Sequence, residues 1–131
     1  MTDALRDLAL SDGRYSPEAL RFLFESLDWA VRLAGKEDAA ESDRHVTGQE
    51  LLEGLRAHAS SLFGPLAAQV WRSWGIHSTL DWGGVVFLLV EKEMLRRRES
   101  DTIEDFRDGF DFDAVFVDAY HPKLSQDLRG S

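Results

Sequence analysis

The chain has 131 residues and a net charge of −9, from 24 acidic and 15 basic side chains, with 44% hydrophobic residues and no cysteine. That length suits one domain burying roughly two thirds of its unfolded surface, and the missing thiols exclude disulfides, thiolate zinc sites and cysteine nucleophiles. An acidic surface repels phosphate backbones, so no nucleic-acid partner is expected; the only basic run is Arg96-Arg97-Arg98.

A single globular domain is expected over 1–129, with its core in 10–120 and a flexible tail at 121–131; the linker-like Gly130-Ser131 is set aside. Charge is uneven along the chain, −3 in residues 1–98 and −6 in 99–131. The N-terminal residues lack the basic-then-apolar layout of a signal peptide, and the apolar run Val85–Val90 is far shorter than the ~20 residues that span a bilayer. A soluble cytoplasmic protein with no membrane partner is therefore expected.

Ser16 and Pro17 open the first strong helix, with Glu18 favourable to the positive end of its dipole, and Gly35 stops it after Ala34. Its polar residues Glu18, Arg21, Glu25, Asp28 and Arg32 form one narrow stripe, and apolar residues cover the rest. Such a helix is either central or shared between a core and a partner chain. Thr47-Gly48-Gln49-Glu50 is a capping box with Val46 and Leu51 placed as its hydrophobic staple, and it starts a second helix. Leu51, Leu55, His58 and Leu62 line one stripe of that helix.

Gly64-Pro65 breaks it and begins a third, in which Leu66, Ala67, Val70, Trp71 and Trp74 recur at helical spacing up to a C′ glycine, Gly75. Ser78 or Thr79 caps a fourth helix reaching Leu95. Its run Val85–Val90 also suits a buried strand, but the charged residues Glu91-Lys92-Glu93 and the overall length favour helix. Gly83-Gly84 then marks a close crossing or a bend. Beyond Glu99 the signals shorten: a turn at Asp101–Phe106, a strand-like alternation in Phe110-Asp111-Phe112-Asp113 and a short helix at Ala114–Tyr120, wrapping the core through Phe106, Phe110, Phe112 and Phe116. The expected fold is mainly α, a compact bundle of about four principal helices with an irregular or small β-containing C-terminal section.

Arg44, His45 and Gln49 place a cation, an imidazole and an amide at the start of the second helix, where free N–H groups favour an anion. The competing reading is that Thr47 and Glu50 satisfy those groups themselves. Six carboxylates between Asp101 and Asp113 supply oxygen donors in number, yet the spacing is wrong for a calcium loop and Arg107 sits inside it, so no metal is expected. Asp105-Phe106 and Asp111-Phe112 read instead as aromatic anchors beside capping carboxylates, and Asp105, Phe106 and Asp108 form a candidate binding face.

The four histidines lack zinc spacing, and no serine elbow, P-loop or dinucleotide glycine pattern occurs, so neither a catalytic residue nor a cofactor is assigned. His58 falls on an apolar stripe, which fits a core histidine. Residues 65–95 also fit helix-turn-helix, but the second helix offers Trp82, Val85, Val86 and Leu89 where a DNA reader needs polar and basic groups. Four tryptophans exceed what one helical stripe needs, which leaves a partner surface open.

In Arg14-Tyr15, in Ala19, Phe22, Glu25 and Leu27, and above all in Arg44-His45-Val46-Thr47-Gly48-Gln49-Glu50-Leu51-Leu52, the chain resembles the Minf-type family of small uncharacterised bacterial proteins. The likeness continues through Phe63-Gly64-Pro65, Trp74-Gly75-Ile76, Asp81-Trp82-Gly83, Val86-Phe87, Leu89-Val90-Glu91, Glu104-Asp105-Phe106 and Asp111-Phe112, and so spans roughly residues 14 to 116. Trp82 stands where the family usually has phenylalanine. The resemblance implies a shared fold and brings no catalytic residue. The function expected is a non-enzymatic protein-interaction or regulatory module, partnered by another protein or by itself. The alternative is a small-molecule or anion-binding protein, enzymes included, using Arg44, His45 and Gln49.

Overall fold

The computed structural model describes residues 2–36, 38, 45–95, 103–107 and 109–118. Among them the fold is mainly helical: α1 Thr2–Asp12, α2 Pro17–Leu33, α3 Gly48–Phe63, α4 Ala67–Ser73 and α5 Thr79–Glu91. Short 3₁₀ turns lie at Gly64–Leu66 and Ile103–Phe106, and a π turn at Asp113–Asp118. Helix α1 precedes the four helices expected from periodicity. Its apolar content is slight, with Leu5 and Leu8 half-buried and Ala9 buried one turn beyond Leu5.

The helix ends follow the local signals closely. Glu50 N–H donates to Thr47 Oγ1 at 3.0 Å and Thr47 N–H to Glu50 Oε1 at 2.8 Å, closing the capping box of α3. Gly75, at φ 90°, ends the α4 turn; its N–H reaches the Arg72 carbonyl and the Ile76 N–H the Trp71 carbonyl. This paired bonding needs a left-handed residue after the C-cap, which glycine adopts without steric cost. The same arrangement closes α5 at Glu91, four residues before the expected Leu95, where Glu93 takes φ 62° and the Met94 N–H bonds the Leu89 carbonyl. A glutamate at that position carries no stop signal, so the run of apolar residues reads as longer than it is.

Two further expectations are corrected. Among the described residues there is no strand: Phe110 and Phe112 both pack on Trp71, with ring centroids 6.3 and 5.0 Å away. Asp111 between them accepts the Ala114 N–H at 3.0 Å. The alternation there records a capping carboxylate between two core rings, not a pleat. Leu62 and Leu66, expected on apolar stripes, are instead exposed, because the chain turns at Gly64 just where their helices would have continued.

Helices α2 and α3 form the most extensive contact of any pair. Gly54 sits at their crossing, where an added Cβ would lie 2.7 Å from both the Cβ and the backbone nitrogen of Ala30. The core assembles around Phe22, whose ring stacks on His58 at 4.3 Å and lies near Phe63, Trp71, Trp74 and Trp82. Trp71 and Trp82 are fully buried and meet edge to face at 5.1 Å, a favoured geometry for two rings.

The C-terminal segment covers this core. Phe106 seats its ring against two glycines: a Cβ at Gly83 would stand 2.9 Å from Phe106 Cβ, and one at Gly48 would stand 3.1 Å from its ring. The buried Thr79 hydroxyl locks the seat by donating to the Phe106 carbonyl at 2.6 Å and accepting the Gly109 N–H at 2.9 Å. Gly83-Gly84 thus serves close approach from two sides, since a Cβ at Gly84 would collide with the Tyr15 hydroxyl.

The α2–α3 crossing yields a prediction. Gly54→Ala places a methyl against Ala30 backbone, which cannot rotate away, so unfolding free energy should fall by about 1–3 kcal/mol in a urea titration despite alanine's better helix propensity. An unchanged or raised midpoint would mean that the helices do not cross at Gly54.

Candidate functional site

The start of α3 gathers most of the residues singled out from sequence. Besides its role in the cap, Glu50 Oε1 accepts a bond from Lys36 Nζ at 3.0 Å, and the same ammonium donates to the His45 carbonyl at 2.7 Å. The Thr47 amide, helped by Lys36, holds the Glu50 carboxyl below its ordinary range against the cost of desolvation. Of the N–H groups at this helix end, those of Thr47 and Glu50 already face the protein's own carboxylate and hydroxyl. His45 is half-buried and Gln49 is exposed; Arg44 lies outside the described residues.

The second candidate set meets the first at this helix end. A Cβ at Gly48 would stand 2.9 Å from Asp105 Cβ, so Asp105 and Phe106 pack on the residue next to Gln49. Phe106 is 3% exposed and turned into the core, so its ring is not offered to a partner in this fold. Asp108 lies outside the described residues.

Of the other carboxylates, Glu104 pairs with Arg107 at 3.1 Å, Asp113 with Arg72 at 3.1 Å, and Asp111 caps the π turn. Among the described residues no group of three or more histidines and carboxylates is placed to hold a metal. Arg96, Arg97, Arg98, Asp101 and His121 lie outside them.

His58 is a core residue. Its ring lies between Phe22, 4.3 Å away and nearly parallel, and Trp29 at 5.2 Å, while Nδ1 is 2.9 Å from the hydroxyl of fully buried Ser26. A serine and a histidine at this distance resemble a nucleophile and its base, but no substrate reaches a hydroxyl with no exposed surface. Burial pushes the imidazole below its ordinary pKa, and the charge of Glu25 opposes this only in part.

Two surface features lie apart from these candidate residues. A cleft of about 460 Å³ opens between the α4–α5 turn and the C-terminal segment, lined by Arg72, His77, Ser78, Leu80, Arg107 and Phe110 among others. Its two arginines and His77 stand apart along the chain, so no local motif marks it. The second is the corner joining α3 to α4. No Asp, Glu, Lys or Arg occurs from Ala57 to Trp71, and within that stretch Leu62 and Leu66 are 59% and 58% exposed beside half-buried Phe63.

Compared with family models, with curated proteins and with solved structures, the chain matches none of them. Among the described residues no helix is long and apolar enough to cross a membrane.

His58 makes stability depend on pH. Its folded pKa lies below the unfolded value of about 6.5, so the unfolded chain binds the proton more readily and stability falls as pH drops from about 6.5 toward the depressed folded value. The urea midpoint should therefore decline across that interval, and His58→Gln, which keeps a hydrogen-bonding side chain, should flatten the decline. Parallel curves for the two proteins would remove His58 from the explanation.

Proposed function

We propose that this chain is a non-enzymatic protein-interaction or regulatory module, which docks another protein or a second copy of itself through the corner formed by Leu62 and Leu66. The observation that carries this reading is the conjunction at that corner. The chain is 30% charged overall, yet it leaves a charge-free segment at the surface and exposes two leucines on either side of Gly64-Pro65. Single exposed leucines are common on monomers, but apolar residues clustered on a charge-free segment mark recognition surfaces. Kinship with the Minf-type family and a cytoplasmic location, without nucleic-acid or membrane partners, belong to the same proposal.

The reading of the α3 start as an anion site has less behind it, because Thr47, Glu50 and Lys36 already satisfy one another there. An acidic recognition face at Asp105 also has less support, since Asp105 packs on Gly48 and Phe106 is inside.

A Leu62→Lys/Leu66→Lys variant should keep the wild-type melting temperature. Burying a leucine is worth about 1.5–3 kcal/mol, so the complex recovered from lysate, or the homodimer seen by light scattering, should weaken at least about tenfold. Equal recovery from variant and wild type, or a wild-type protein that recovers no partner and carries a bound metabolite in native mass spectrometry, would overturn the proposal.

A further inference from the structure

We infer that the cleft between the α4–α5 turn and the 107–112 segment binds a small organic anion, an oxyanion headgroup on a compact apolar body. This site is separate from the Leu62–Leu66 corner and stands or falls independently of it. At about 460 Å³ the cleft is within the size range of small-ligand pockets, which combine an apolar lining with a few polar groups that fix orientation.

Both halves of that chemistry are present. Leu80, Phe110 and Phe112 supply the apolar surface, and Phe110 and Phe112 rest on the fully buried Trp71, which fixes them. Arg72 and Arg107 supply guanidinium groups from two separate segments, Arg107 being paired with Glu104, and His77 adds an imidazole; the Asp111 carboxylate also lines the cleft and accepts the Ala114 N–H.

Arg72 and His77 have donor capacity to spare. Among the described residues the Arg72 guanidinium makes one hydrogen bond, from Nη2 to Asp113 Oδ1, and it lies 6.0 Å from the Phe112 ring. A guanidinium carries five N–H donors in a planar fork suited to carboxylate or phosphate, so Arg72 can hold Asp113 and an oxyanion together. Among the described residues the His77 imidazole makes no hydrogen bond, its backbone N–H alone being taken by Asp81.

The attraction does not come from the helix end. The Asp81 carboxylate already accepts the N–H groups of His77 and Ser78, and the Thr79 hydroxyl is committed to Phe106 and Gly109. Nor does it come from the surface as a whole, because a net charge of −9 disfavours anions elsewhere. Selectivity therefore rests on the side chains of the cleft. A free inorganic ion would leave the apolar wall uncovered, and an uncharged or cationic ring would leave Arg72 unused.

Four probes test this by amide chemical-shift titration of the full chain: 3-phenylpropionate, phenyl phosphate, inorganic phosphate and 3-phenylpropylamine. At least one of the first two should saturate with shifts confined to residues 76–81 and 107–113, the stronger of them identifying the headgroup as carboxylate or phosphate. Inorganic phosphate and the amine should not saturate. Removing a charged hydrogen-bond donor should raise Kd about tenfold, so Arg72→Gln should show that loss. Arg107→Gln repeats the measurement from another segment if Arg72→Gln lowers the melting temperature. Failure of both aromatic anions to saturate, equal binding of the amine, or unchanged affinity in both arginine variants would overturn the inference.

Discussion

Phe106 sits where two helices come close enough to leave room for only a ring, and much of the molecule depends on that fit. Gly83 in α5 and Gly48 at the start of α3 both lack the Cβ that would occupy its place. A phenylalanine side chain buried from both sides contributes on the order of 2–3 kcal/mol from desolvation alone. The Thr79 hydroxyl adds two hydrogen bonds to the backbone around it. Together these hold a segment with little regular structure against the bundle. That segment in turn places Arg107, Phe110 and Phe112 along one side of the cleft.

Beneath the segment, the aromatic residues are spent largely on each other. Phe22, Trp71, Trp82, Phe112 and Phe116 are all buried, and His58 is drawn into the same stack through Phe22 and Trp29. The indole N–H groups of Trp71 and Trp82 meet no acceptor among the described residues. Trp71 also has edge-to-face contacts with Phe112 and Phe116, and aromatic faces of this kind are weak acceptors. Ser26 and His58 are enclosed, and Glu50, Asp81 and Asp111 are engaged in caps and an ion pair. The surface carries an apolar corner at Leu62 and Leu66 and a cleft with arginines in its lining.

The sequence was most informative where a local rule acts alone. The Thr47–Glu50 box, Pro17 after Ser16 and Gly75 after Trp74 each mark a helix boundary within a residue or two, because the bonding they satisfy lies within one turn. It was least informative where the deciding contact is distant. Gly64-Pro65 marks the end of the helix carrying Leu62 but not which way that side chain faces, and nothing in Phe110-Asp111-Phe112 separates a pleat from a cap between two inward rings. Helix α5 is closed by Glu93, two residues past its end, in a conformation usually reserved for glycine. The cleft was invisible for the same reason, since Arg72, His77 and Arg107 share no segment. Of the candidate site at α3, the capping geometry was legible, while its convergence with Asp105 and Phe106 required the fold.

Native-state amide exchange on Thr79→Val bears on the Phe106 seat without disturbing the helices' own packing. Valine keeps the shape and loses both hydrogen bonds, so amides of residues 106–116 should exchange far faster while those of α2 and α3 keep wild-type protection. Uniform acceleration across the whole chain, or no change at 106–116, would show that the C-terminal segment is held by something other than Phe106 and Thr79.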